Sequence, residues 1–175
     1  MIGIYTGPNG EQNFETDMVS MLVQVGWYKN IIKYPTRKDL ENNLRKIINE
    51  NNIDMLGITT PLTDNEFAQI LSEIHLRCVT PTGANVLING QKIRIQTEIN
   101  RQNYPKNSNL DLMIFNRADI ASGKSRYQIA EQPIFNTDPK YNDRRGDIML
   151  LINGLPLIHI ELKAAGHSLE EGTTQ

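Results

Sequence analysis

The sequence predicts an α/β domain in which N-terminal helices pack on a mixed, mostly antiparallel central sheet flanked by helices. Three observations predict it. Between residues 13 and 76, apolar side chains recur at helical spacing in three segments. From Val79 the pattern becomes extended. Near the end, Ile148–Ile152 and Leu155–Ile160 form two short apolar runs around Asn153-Gly154, a hairpin signal. At 175 residues the chain is long enough for a substantial core, so one domain over 1–175 is expected.

The opening MIGIYTGPNGEQ is rich in turn formers and reads as a lead-in. The first helix is expected over Asn13 to Val25. Phe14, Met18, Met21, Leu22 and Val25 form its apolar stripe, and Gly26 ends it. Glu15 lies in its first turn, where a carboxylate complements the helix dipole. Trp27 and Tyr28 follow and read as packing against a sheet edge. A second helix is expected over Lys38 to Asn51, with Leu40, Leu44, Ile47 and Ile48 on one face. A third runs from Asp64, as N-cap, to Leu76 and buries Phe67, Ile70, Leu71 and Ile74. IDMLGITTPLT connects these two. His75 sits near a helix C-terminus, where a cationic imidazole is favoured, and is read that way rather than as a metal ligand.

In VTPTGANVLINGQKIRIQTEI, Asn89-Gly90 separates two runs and predicts a first hairpin. Lys92, Arg94 and Gln96 would face one side of its second strand, and Ile93, Ile95 and Thr97 the other. RQNYPKNSN is a polar loop. Strands are expected over Leu110 to Phe115 and Ser125 to Phe135; the second carries Tyr127, Glu131 and Gln132, which periodicity alone does not place near any site. Gly123, Lys124 and Ser125 spell the end of a phosphate loop. The upstream glycine and the following helix are missing, so the stretch reads as a turn. NTDPKYNDRR is a charged connector leading to the second hairpin.

That hairpin, DRRGDIMLLINGLPLIHIELK, holds the chemistry. Asp147 precedes its first run, and Glu161 and Lys163 follow its second. Glu161 and Lys163 are two apart, so they share a strand face. A two-residue turn would set Asp147 opposite Ile160, on the wrong side from Glu161. A three-residue turn or a β-bulge would set it opposite Glu161. A working site therefore predicts an odd-length turn or a bulge. Asp147 and Glu161 could share a hard divalent cation such as Mg²⁺, with the Leu162 carbonyl as a further oxygen ligand. Lys163 could hold or deprotonate an attacking water, or stabilise charge on the phosphorane. The competing reading is an ordinary hairpin with solvated charges at its ends. His159 alternates onto the Glu161 side. Its neighbours are apolar, so it reads as structural with a modest supporting role. His167 lies in the following loop and reads as solvated. Ser168 and Glu171 form a capping box for a helix after Lys163.

Asp, then Glu-x-Lys across a hairpin, resembles the PD-(D/E)xK nuclease signature, with Gly146 in place of the proline. More specifically, Asp147, Asn153, Gly154, Leu155, Pro156, Glu161, Leu162 and Lys163 are similar to a block in the N-terminal nuclease domain of the R subunit of type I restriction enzymes. The close likeness covers the last third of the chain; earlier, only the order of elements fits. The resemblance implies a restriction-endonuclease-like core and Mg²⁺-dependent hydrolysis of DNA in host defence. It implies Asp147 and Glu161 as metal ligands and Lys163 as the residue that positions or activates water. Glu15 resembles the helix acid that joins many such sites. Gln175 stands where the family's Gln-x-x-x-Tyr motif would begin, but the Tyr is absent. The family continues into an ATP-driven translocase and works with modification and specificity subunits, so this chain would be an N-terminal piece of a larger subunit. ATP would serve the full-length subunit, not this segment.

Net charge is -2 and the sequence pI about 5.9, so overall charge does not mark a nucleic-acid binder. Contact with double-stranded DNA must come from a local patch, for which Lys140, Arg144 and Arg145 are the candidates. The single cysteine, Cys78, excludes an internal disulfide and a Cys-based zinc site and suits the cytoplasm. No apolar run reaches membrane-spanning length. Two alternatives stand beside the R-subunit reading. One is another PD-(D/E)xK nuclease, of a repair or transposon-associated kind. The other is a degenerate nuclease fold acting as a DNA or protein docking module, against which the intact Asp147, Glu161 and Lys163 argue.

Overall fold

The structure is a computed structural model and describes residues 10–28, 30–115, 125–135 and 145–162. Its elements are α1 (Gly10–Gln24), β1 (Ile32–Lys33), α2 (Arg37–Asn51), α3 (Ile53–Leu56), α4 (Asp64–Cys78), α5 (Pro81–Ile88), β2 (Ile93–Gln96), β3 (Asn109–Leu112), β4 (Tyr127–Glu131), β5 (Ile148–Ile152) and β6 (Leu155–Ile160). They fall into two compact units, one drawn from 1–38, 127–152 and 156–175, the other from 39–126 and 153–155. Among the described residues no helix is long and apolar enough to cross a membrane.

The first unit holds a four-stranded mixed sheet, ordered β1-β4-β5-β6. β1 runs parallel to β4, and β4 antiparallel to β5, with Glu131 opposite Ile148 and Ala130 opposite Met149. α1 covers one face. Val19 meets Ile129, Ile148, Leu150 and Leu162, with Phe14, Met18, Leu22 and Trp27 packed around them. Burial of this kind stabilises by about 1.5–3 kcal/mol per large aliphatic side chain. The apolar stripe is narrower than its spacing suggested: Met21 is 54% exposed and Val25 77%. Gly26 ends the helix at φ 109°, where an L side chain would be strained. Trp27 packs edge-on against Tyr127 at the sheet, as expected, with ring centroids 5.6 Å apart.

The second unit is helical around a two-stranded antiparallel ribbon, β2-β3, paired Ile93 to Leu112 and Ile95 to Leu110. α2 buries Leu44, Ile47 and Ile48, and α4 buries Phe67, Ile70 and Ile74. α4 begins one residue earlier than Asp64 suggested. Thr63 is the N-cap, and its hydroxyl and Glu66 complete a capping box. Glu66 is fully buried and accepts from both terminal guanidinium nitrogens of the buried Arg101, at 2.7 and 2.6 Å. Burial alone would raise the Glu66 pKa. The Arg101 bonds, and backbone N–H groups from Thr63 and Glu98, outweigh it and hold the carboxyl below its usual range.

Two expectations change here. The first hairpin is not one: Pro81–Ile88 is helix α5, and only Ile93–Gln96 is strand. Thr80 caps the helix by accepting the Gly83 N–H at 3.1 Å, and Pro81 takes the first turn, where its missing N–H costs nothing. Asn89-Gly90 then closes the helix, with Gly90 at φ 91°. The expected strands Leu110–Phe115 and Ser125–Phe135 contract to Asn109–Leu112 and Tyr127–Glu131.

Candidate active site

The β5–β6 connection is a two-residue turn. Asn153 and Gly154 have φ 51° and 82°, the double left-handed conformation of a type I′ hairpin. The turn is thus even-length, where the sequence allowed an odd-length turn or a bulge, and Ile148 and Leu150 pack in one cluster with Ile160 and Leu162. Asp147 lies in a bend just before β5, and its carbonyl accepts the Gln132 N–H at 2.8 Å, one pair past Glu131–Ile148 in the β4–β5 register. Its Oδ2 accepts the backbone N–H of Leu162 at 2.5 Å, beyond the last residue of β6.

Gly146, in place of a proline, has a local reason. Its N–H donates to the Pro133 carbonyl at 3.0 Å, a bond proline cannot make. A Cβ there would also run into the His159 imidazole and lie 2.8 Å from the Phe135 ring. His159 stands edge-on to Phe135 and places Nε2 2.8 Å from Glu161 Oε1. Glu161 is largely exposed, two residues past His159 on the same side.

Glu15 is not a solvated first-turn acid. It is 6% exposed on α1. Its Oε2 accepts from Gln132 Nε2 at 3.0 Å, whereas Oε1 is buried with no hydrogen-bond partner among the described residues. Burial raises its pKa most strongly. The Gln132 bond opposes that, the Glu131 and Asp147 carboxylates raise it further, and Lys33 lowers it. Glu131, opposite Ile148, shares the α1-covered face and lies 3.5 Å from Lys33 Nζ.

The structure thus gathers Asp147, Leu162, Glu15, Glu131 and Gln132 at one end of the sheet. Glu131 and Gln132 were visible as strand residues, and the β4–β5 register, continued one pair past Glu131–Ile148, sets Gln132 against Asp147. Arg145 is exposed and bridges to Ile134. Lys163, Gln175, Lys140 and Arg144 lie outside the described residues, as do the Gly123-Lys124 turn and the helix capped by Ser168. Among the described residues, no three His, Cys, Asp or Glu side chains form a cage for a metal. The carboxylate and carbonyl donors gathered here are oxygens, and one of them, Glu15 Oε1, is buried with no proton to accept among the described residues. That set fits a hard cation needing few protein ligands.

Acidic side chains at the end of a mixed sheet under a single helix are a frame that many proteins share, and comparison narrows it. The family model for the type I restriction enzyme R protein N terminus matches residues 9–175, and the chain belongs to that family. It is 30% identical over 167 residues to endonuclease subunits of type I restriction enzymes from Staphylococcus aureus strains COL and MRSA252, covering 94% of this chain. A counterpart from Staphylococcus saprophyticus is 31% identical over 163 residues, or 92% of this chain. The chain spans only 16% and 15% of those relatives' lengths.

Proposed function

We propose that this chain is the DNA-cleaving domain of a type I restriction enzyme R subunit, a PD-(D/E)xK endonuclease acting in the cytoplasm against foreign DNA. The observation that carries this is the Asp147 carboxylate fastened to the Leu162 backbone, between Glu161 and Lys163 in the sequence, beside a buried Glu15 with one oxygen unpaired among the described residues. Asp147, Glu161 and the Leu162 carbonyl would hold Mg²⁺, with Glu15 as a further contributor. The cation would neutralise charge on the scissile phosphate and make water easier to deprotonate.

The chain's own residues do the rest. The Leu162 N–H fixes one Asp147 oxygen and leaves the other for ligation. His159 steadies Glu161. Lys163 orients or deprotonates the attacking water, and Gln175 assists from the following segment. Lys140, Arg144 and Arg145 hold the duplex by its phosphates, without reading sequence. Sequence choice belongs to the specificity subunit, methylation to the modification subunit, and ATP to the remainder of the R subunit.

The test is restriction by the full-length R subunit assembled with its modification and specificity partners, given ATP, Mg²⁺ and plasmid DNA. Asp147→Ala, Glu161→Ala and Lys163→Ala should each abolish cleavage while ATP hydrolysis continues. Cleavage surviving in Asp147→Ala would sink the reading.

A further inference from the structure

Gln132 occupies a backbone conformation that glutamine rarely adopts. Its φ is 50°, one of four positive values among the described non-glycine residues. Such a conformation costs about 1–3 kcal/mol and persists where the surroundings require it. Gln132 follows directly on β4, and two hydrogen bonds leave it in different directions. The backbone N–H donates to the Asp147 carbonyl at 2.8 Å. The side-chain Nε2 donates to Glu15 Oε2 at 3.0 Å. One residue therefore ties the α1 acid to the acid that precedes β5.

The second bond decides which Glu15 oxygen is available. A carboxylate buried to 6% exposure beside Glu131 and Asp147 is under pressure to rotate away or take up a proton. Gln132 pins Oε2 and leaves Oε1 buried without a partner among the described residues. Lys33 pairs with Glu131 at 3.5 Å. An unpaired buried oxygen costs stability unless something occupies it. Gly would relieve the strain at position 132 but would lose the carboxamide.

We propose that Gln132 is a positioning residue for the cation site: its strained backbone turns the carboxamide onto Glu15, so that Oε1 is presented as a ligand beside Asp147. This rests on the metal-site reading above. Gln132 does not itself touch the cation. Outer groups of this kind typically set metal affinity by about 10- to 100-fold when removed.

The test titrates Mn²⁺ into this 175-residue chain by calorimetry, with thermal melting of each variant alongside. Gln132→Gly should bind Mn²⁺ about 10- to 100-fold more weakly, with a melting temperature equal to or above that of the parent. Gln132→Asn, which keeps an amide and tolerates positive φ, should recover part of the affinity. In a Glu15→Gln background, Gln132→Gly should have no further effect, because the bond acts only through Glu15. Binding that vanishes in Asp147→Ala yet is unchanged in Gln132→Gly would overturn this proposal and leave the metal site standing. An equal loss in both backgrounds would also overturn it, by showing a general structural role. Binding that ignores Asp147→Ala, or no binding by the parent, would overturn both readings.

Discussion

Asp147 Oδ2 accepts the Leu162 backbone N–H at 2.5 Å, tying the residue before β5 to the second residue after β6. The Asp147 backbone is fixed from the other side, where its carbonyl accepts the Gln132 N–H one pair past Glu131–Ile148. Both ends of the hairpin are therefore held together beyond the tight Asn153-Gly154 turn.

Asp147→Asn separates the two uses of that carboxylate. The amide oxygen still accepts the Leu162 N–H, as a neutral bond in place of a charge-assisted one. The stability loss should stay near about 1 kcal/mol. The negative charge is gone, so Mn²⁺ affinity should fall by more than the roughly 10- to 100-fold that outer groups command. Lys163→Ala should do the reverse in the assembled enzyme, sparing cation binding more than turnover. Calorimetry, denaturant melts and cleavage rates on the same variants check the division.

Gly154 and Gly26 both have positive φ, yet they should respond differently to alanine. At Gly154 a Cβ would lie 2.9 Å from the Leu44 backbone and 3.3 Å from its amide nitrogen, so backbone would have to move. At Gly26 nothing lies within 4 Å. Gly26→Ala should cost about 1 kcal/mol of conformational strain alone. Gly154→Ala should cost more, about 2–3 kcal/mol, because overpacking adds to the strain. Urea unfolding of the two variants tests the ranking; equal costs would refute it.

The residues also show what could be read before any coordinates. Helix faces were legible because their contacts are local: Leu44, Ile47 and Ile48, or Phe67, Ile70 and Ile74, declare themselves by spacing. Asn89-Gly90 misled because the same dipeptide suits a hairpin turn and a helix end. Only Thr80-Pro81, eight or more residues upstream, decides between them. The second hairpin was legible, but the bond from the Asp147 carboxylate to the Leu162 backbone, 15 residues away, was not, since side-chain alternation says nothing of a side chain reaching a backbone N–H. Arg101 and Glu66 are 35 residues apart, and no local pattern announces that a loop arginine will be buried on a capping acid. Glu15 was visible as a helix acid. Its burial, and its bond to Gln132 117 residues away, come from tertiary packing.

Glu15 should make stability depend on pH with a sign opposite to that of a salt-bridged acid. Burial first, and then the neighbouring Glu131 and Asp147 charges, raise its folded pKa, despite the opposing Gln132 bond and Lys33. Between the unfolded value of about 4.3 and the higher folded value, the native state binds more protons than the unfolded chain. Stability contributed by the protonated form is thus present below about pH 4.3 and is lost as pH rises through the folded pKa. Glu15→Gln cannot ionise and should melt higher than the parent at pH 7, with the gap closing towards pH 4. For a chain of this size, each kcal/mol appears as about 2–4 °C. Added Mn²⁺ should invert the order, since a ligand stabilises in proportion to how much better it binds the folded state. The parent then gains more than the variant. A parent that melts higher than Glu15→Gln without cation at pH 7 would mean that the buried carboxylate is compensated inside the fold and is not held ready for a cation.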